Sequence, residues 1–278
     1  RTAAKLEKEL RLNVKASVTQ GLVGPNGIQA HEGSIWDLLS KWTDLGWNEL
    51  IMDDDNEGSH LIYRAKPYRD LESGKLIMSD AVEPVTVKLD AAAVVSIDVE
   101  RNLDRVYNYF HIEPPLALLN SAGDINVQSM QNGSVFKTDI PNINPVIYGI
   151  RKLSERTMMA ATPGSAMHKN LAAKKAEKEK METWLEARRD DLVNIRRDSV
   201  ALETGNMVLR GDEKIKPGTY IELKHGNLRP QYYTQNVSHV FVVLGSYTTE
   251  IDFIRGTGFS ERLETPNYLQ EYSRGTYG

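Results

Sequence analysis

Cysteine is absent from the 278 residues, which excludes disulfides and thiolate metal sites and leaves packing or assembly as the only basis for a stable life outside the cell. Long apolar runs are missing too. None approaches the roughly 18 residues of a membrane-spanning helix, and the opening stretch RTAAKLEKEL has no apolar region of the signal-peptide kind. Positive charge is not in excess: a formal net charge of -4 gives no overall basic field, so nucleic-acid binding would need a local patch, and acidic substrates are disfavoured. The familiar reactive motifs are lacking as well. There is no Gly-x-Ser-x-Gly elbow, no Gly-x-x-x-x-Gly-Lys-Ser/Thr loop and no His-Glu-x-x-His helix, and the six histidines are scattered.

A chain of this length can bury a sizeable core in two or three packed units. It opens on Arg1 rather than Met, which suggests that an N-terminal portion was removed, so residues 1–24 are expected to be the remnant of a preceding domain or a linker. After a turn at Gly24-Pro25-Asn26-Gly27, the segment SIWDLLSKWTDLGW carries Ile35, Leu38, Leu39 and Trp42 at helical spacing, with Ser34 as N-cap and Gly46 as stop. Glu49 to Asp53 and Leu61 to Ala65 alternate as the arms of a hairpin. Together they predict a small α/β unit over 25–83.

From Pro84 the texture changes to β-branched alternation in PVTVKLD, AVVSIDV, RVYNYFHI and, beyond an interval from Asn120 to Asn144 read as an interface loop, VIYGIRKL. One long helix is expected at 169–202, with Met181, Trp184, Leu185, Leu192 and Ile195 drawing a narrow apolar stripe. Such a stripe suits a helix laid along the outside of a sheet, with a two-stranded coiled coil as the alternative. Three strands then follow as an antiparallel meander, with Thr219, Ile221 and Leu223 on one face, Tyr233, Val237, Phe241 and Val243 on one face, and Tyr247, Thr249, Ile251 and Phe253 on one face. The fold class is therefore α+β, mainly β: a tube-like antiparallel barrel over 84–258 with one long outer helix, a small helix-hairpin domain, and a tail at 259–278.

Each candidate for chemistry has a plainer reading beside it. Asp53-Asp54-Asp55-Asn56-Glu57-Gly58 imitates the start of a calcium loop, but the twelfth position, where a bidentate glutamate is needed, is Arg64. The Lys174-Lys175 and Arg188-Arg189 doublets could touch a phosphate backbone, yet Glu177, Glu179, Glu186, Asp190 and Asp191 dilute them into a solvated helix face. Arg210-Gly211-Asp212 spells an adhesion tripeptide, but Pro217-Gly218 and the following strand make it a corner. Among the 38 acidic residues no pair is marked out by apolar neighbours as a glycosidase couple. No catalytic, cofactor-binding or metal residue is assigned, and no cofactor is expected.

From Gly205 to Gly256 the chain resembles the closing part of phage-tail baseplate hub proteins, a group akin to late-control protein D and the hub half of type VI spike proteins. The likeness rests on Arg210-Gly211, Pro217-Gly218, Tyr232-Tyr233, Val237-Ser238-His239, Tyr247-Thr248-Thr249 and Arg255-Gly256. Upstream, Ile35-Trp36-Asp37-Leu38-Leu39, Trp47-Asn48-Glu49-Leu50, Arg64-Ala65-Lys66-Pro67-Tyr68-Arg69-Asp70-Leu71 and Val106-Tyr107-Asn108-Tyr109-Phe110 resemble the middle of such proteins, in the same order. The resemblance implies a non-enzymatic, homotrimeric ring in the virion, made in the host cytoplasm, that adapts a hexameric tail tube to a trimeric spike and forms the conduit for genome passage. Its implied partners are itself, the tail tube protein, the spike protein, other baseplate proteins, the tape measure protein and DNA in transit without specific binding. The family begins with a complete tube-like domain, of which residues 1–24 could hold only a remnant. Two rivals stand beside it: a tail-tip hydrolase or carbohydrate-binding module, and another structural tail protein such as a distal tail ring.

Overall fold

The computed structural model describes residues 13–17, 34–55, 58–71, 73–113, 145–157 and 171–257. Helix α1 (Ile35–Trp42) starts where the sequence places it, because Ser34 and Asp37 form a reciprocal capping box: Ser34 Oγ accepts from the Asp37 N–H at 3.1 Å, and Asp37 Oδ2 accepts from the Ser34 N–H at 3.1 Å. Its stop comes earlier than Gly46. Thr43 is the C-cap, and Asp44 takes a positive φ of 50° while its carbonyl accepts the N–H groups of Trp47 and Asn48.

Strands β2 (Asn48–Asp55) and β3 (Gly58–Ala65) form the expected hairpin, and β1 (Asn13–Ser17) adds to β3 in parallel, with Asn13 opposite His60. Residues 13–17 thus belong to the sheet of the hairpin unit. A second, larger sheet holds β4 (Thr86–Asp90), β5 (Val94–Glu100), β8 (Glu203–Arg210), β9 (Tyr220–Lys224), β10 (Gln231–Phe241) and β11 (Tyr247–Gly256) in the order β4-β9-β10-β11-β8-β5. All its pairs are antiparallel except β4 with β9. A third, two-stranded parallel sheet pairs β6 (Tyr109–Glu113) with β7 (Lys152–Arg156). Before β7 the stretch Pro145–Tyr148 is a helical turn, α2, rather than the start of the VIYGIRKL strand.

Connectivity dictates the shape of the six-stranded sheet. Its edge strands β4 and β5 are consecutive in the chain, joined by a single 3-10 turn at Ala91–Ala93. Laid flat, the two edges would stand about 24 Å apart at about 4.8 Å per strand, whereas the Cα atoms of Asp90 and Val94 can be separated by no more than about 15 Å at 3.8 Å per step. The sheet must curl until its edges meet at that corner. Side chains from all six strands fill the inside: Val87, Ile97, Met207, Ile221, Tyr232 and Ile251 represent them in one apolar cluster, with Phe253 edge-on to Tyr232 at 4.7 Å. Among the described residues, the inside of the curled sheet is occupied by this apolar cluster.

The outer face of β9–β11 is buried as well, against α3 (Leu171–Arg196) and the hairpin unit. Tyr220, Tyr233 and Ile254 pack with Leu185, Leu192, Val193 and Ile195 of the helix and with Trp47, Ala65, Tyr68 and Met78. The Trp47 indole N–H donates to the Arg188 carbonyl at 2.7 Å, fixing the helix to the unit that precedes it. α3 ends six residues before the expected Leu202: the carbonyl of Asp198 accepts from the N–H groups of Ala201 and Leu202 and turns the chain into β8.

Candidate functional site

The corner that runs from Leu209 to Gly226 seats itself on the hairpin unit. Lys216 Nζ pairs with Asp53 Oδ2 at 2.9 Å. Gly218 adopts φ +77°, and a side chain there would press to 2.4 Å from Arg64 Nη2, so the position needs glycine on both counts. Arg64 binds the corner from below, Nη2 donating to the Gly218 carbonyl at 2.6 Å and Nε to Glu49 Oε1 at 2.6 Å, while the Tyr233 hydroxyl donates to Glu49 at 2.7 Å. Burial works against the Arg64 charge, yet Glu49 and Tyr233 together outweigh it and hold the guanidinium above its ordinary range. Burial, reinforced by Glu49, pushes the Tyr233 phenol far up. These are the groups of a clamp that joins two units.

The other sequence candidates resolve locally. Asp53 is engaged by Lys216 and the would-be twelfth ligand Arg64 by Glu49; Asn56 and Glu57 lie outside the described residues, and among the described residues no cluster has metal-binding composition. In the Arg210-Gly211-Asp212 corner, the Gly211 N–H donates to the Tyr247 carbonyl at 2.9 Å and Asp212 Oδ1 accepts from the Lys214 N–H at 2.9 Å, so the tripeptide is a β8–β11 junction. The Asn120–Asn144 loop falls outside the described residues, as do the side chains of Lys174 and Lys175.

Arg188 departs from the solvated-face reading. It is 1% exposed, its guanidinium lies 5.2 Å from the Trp47 ring and 5.4 Å from the Trp184 ring, and none of its nitrogens has a hydrogen-bond partner. The signal was in the spacing, since Arg188 stands four residues after Trp184 and four before Leu192 on the buried stripe. Asp191, one turn on, is pushed up to about 6 by burial, against the pull of Arg188 and with help from Asp80 and Asp190.

Beyond the clamp, β10 outruns β9, while β11 stays paired with β8 as far as Thr248 opposite Arg210. β9 pairs with β10 only from Gln231 to Tyr233, and β10 then pairs with β11 alone as far as Phe241 opposite Tyr247. At the tip, the Val242 N–H donates to the Ser246 carbonyl at 2.8 Å and the Gly245 N–H to the Val242 carbonyl at 2.9 Å. Phe241, Val242, Val243 and Leu244 are all exposed, Leu244 completely so, and Leu244 is held at φ +59°. A non-glycine residue at positive φ is a costly choice where asparagine or glycine would serve. Val95 and Val99 on β5 are exposed too.

No family model and no curated protein matches the chain. Among solved structures it is similar to a tail protein from Neisseria meningitidis MC58, at 13% identity and a TM-score of 0.45, covering 91% of this chain and 65% of that one. It is also similar to a chain of the phage P2 baseplate in its activated conformation with Ca, at 8% identity and a TM-score of 0.22 over 77% of this chain and 50% of that one. A topological model of the p2 virion baseplate in activated conformation gives 9% identity and a TM-score of 0.23 over 86% of this chain and 60% of that one. The chain thus spans less than two thirds of each. Likenesses of this strength assign neither family nor activity.

Proposed function

We propose that the chain is a structural subunit of a phage-tail baseplate, acting as the hub: a homotrimeric ring that adapts a hexameric tube to a trimeric spike and leaves a passage for the genome. The observation that carries this reading is the β10–β11 tip, where Phe241, Val242, Val243 and Leu244 face solvent and a leucine is kept at positive φ. A run of adjacent exposed apolar side chains marks an interaction surface, and strain at a surface position points to a use for that side chain. Burying all of them would contribute about 1.5–3 kcal/mol each. The four together give about 6–12 kcal/mol, of the same order as the ~4–15 kcal/mol lost on association, so the contact gains a clear margin when several copies act together, as in a closed ring. The ordered motif resemblance from residue 34 to 256 supplies the identity of the ring. With an apolar cluster occupying the inside of its sheet, a subunit of this kind would form its conduit between copies.

Among the described residues, the cavities on either side of Lys66 present one carboxylate, Glu49, and it is held by Arg64 and Tyr233. That arrangement favours the structural reading over a hydrolase with paired acids. The test is the solution mass of the full chain, alone and mixed with its tube protein, with Leu244→Ser beside it. A trimer that the variant weakens is expected. A monomer at all concentrations that ignores the tube protein overturns the proposal, and a hexamer points to a distal ring instead.

A further inference from the structure

Between the C-terminal end of α3, the outer face of β10 and β11, and the segment that follows β3 lies a cavity of about 360 Å³. Its walls carry Lys66, Arg105, Arg196 and Arg255 and no carboxylate, in a chain whose net charge is -4. We propose that this cavity binds a small oxyanion of the phosphate class. The proposal stands apart from the hub reading, since it concerns a recess within one copy.

The cations are placed by different elements, which is what makes the recess a built feature. Arg255 on β11 is fixed by Nη1 donating to the Ile195 carbonyl at 2.9 Å and Nη2 to the Arg69 carbonyl at 2.8 Å, with its guanidinium 4.8 Å from the Tyr68 ring. Lys66 donates to the Gly46 carbonyl at 3.1 Å and also to that of Leu45. These two charges are neutralised by no acid in the wall. Arg196 has a buried Nε without a hydrogen-bond partner and stands 5.8 Å from the Tyr107 ring. Arg105 is exposed beside it at the mouth. Ser199, Thr204 and Gln235 add neutral donors.

Gathering like charges in a recess is unfavourable unless something offsets it. Burial first, and then Arg196, push the Lys66 amine down to about 8, even though Glu49 and Glu155 pull the other way from outside the cavity. An anion with several oxygens would relieve that repulsion and match the fork of donors on Arg196. The volume lies in the range of small-ligand sites. A duplex backbone, being convex and long, would need an open basic face instead.

The experiment is calorimetric titration of the full chain with inorganic phosphate and with pyrophosphate, against sodium chloride at equal ionic strength. Wild type should bind saturably, and Arg105→Gln, at an exposed position that leaves the fold intact, should weaken binding about tenfold or more, the loss expected for a charged hydrogen bond. Arg196→Gln should weaken it further. The Lys66 amine, followed by NMR, should titrate at higher pH when phosphate is present. Equal binding by wild type and both variants, a response that follows ionic strength alone, or binding of a short DNA duplex with phosphate silent would each overturn the assignment. None of these readouts depends on ring formation, so failure here leaves the hub reading untouched and the reverse also holds.

Discussion

Glu49→Ala is the perturbation that tests the clamp between the hairpin unit and the barrel most directly. Glu49 and Arg64 side chains are 12% and 15% exposed, so the pair is screened little by water. Removal of the carboxylate leaves Arg64 Nε and the Tyr233 hydroxyl without their 2.6 and 2.7 Å acceptor, while Arg64 still carries its charge beneath the Gly218 carbonyl. Stranding one member of a buried pair costs about 3–5 kcal/mol, a large part of the ~5–15 kcal/mol that holds a domain together. Urea unfolding followed by tryptophan fluorescence reads it, since Trp47 shares the core cluster with Tyr233. Replacing the whole set with apolar groups, in Glu49→Leu with Arg64→Met and Tyr233→Phe, should lose far less, about 2 kcal/mol or under, because no charge is then left buried. A Glu49→Ala loss below about 1 kcal/mol, or a Glu49/Arg64 double-mutant cycle that is simply additive, would refute the reasoning.

Arg188→Met should behave in the opposite sense. With no hydrogen bonds to lose and two indole rings to pack against, the substitution should change unfolding free energy by under about 1.5 kcal/mol in either direction, and a loss above 3 would show that the charge is indispensable. At the hairpin tip, Leu244→Asn should raise the melting temperature slightly by relieving the positive φ, worth about 1 kcal/mol, while weakening self-association in the same sample; a variant that melts lower fails the prediction. Asp191 gives a pH signature. Its folded value near 6 lies above its ordinary 3.8, so the folded state holds this proton more tightly than the unfolded chain. Asp191 therefore detracts from stability at pH 7, and the penalty is relieved as pH falls from 6 towards 4. Asp191→Asn should flatten that part of the melting profile, and identical slopes in variant and wild type would reject the assignment.

What could be read from the sequence was whatever depends on neighbours in the chain. Ser34 and Asp37 stand three apart and cap a helix wherever it packs, and the alternation of Tyr220 with Ile221, or Tyr232 with Tyr233, separates outer from inner face by the two-residue period alone. Three kinds of feature were hidden. Parallel pairing of β1 with β3, β4 with β9 and β6 with β7 joins segments far apart in the chain, with no turn chemistry between them to announce it. A bulge between Thr234 and Asn236 reverses the phase of β10, so Val237 turns into the barrel while Tyr233 points out to the helix, although even spacing put them on one face. Arg188 was hidden by its chemistry, because a cation on an apolar stripe looks like a flaw in the stripe until the two tryptophans that flank it are known.

The bulge and the buried arginine have a common consequence for where a site could form. By turning β10 over, the bulge ends the outer apolar face at Tyr233, and beyond that point the outward side chains of the strand are exposed among the described residues. Gln235 at the bulge then lines the basic cavity instead of a core, and β10, with β11 as its one strand partner from there on, carries exposed apolar residues out to the tip. One local irregularity thus separates an inward-facing scaffold from the two surfaces, recess and tip, that are open to something outside the chain. Deleting Gln235, the extra residue of the bulge, should leave Val237 facing inward opposite Ile251 while it removes a wall residue of the recess and the local bend of β10. A deletion variant that folds normally and keeps both surfaces would break that link.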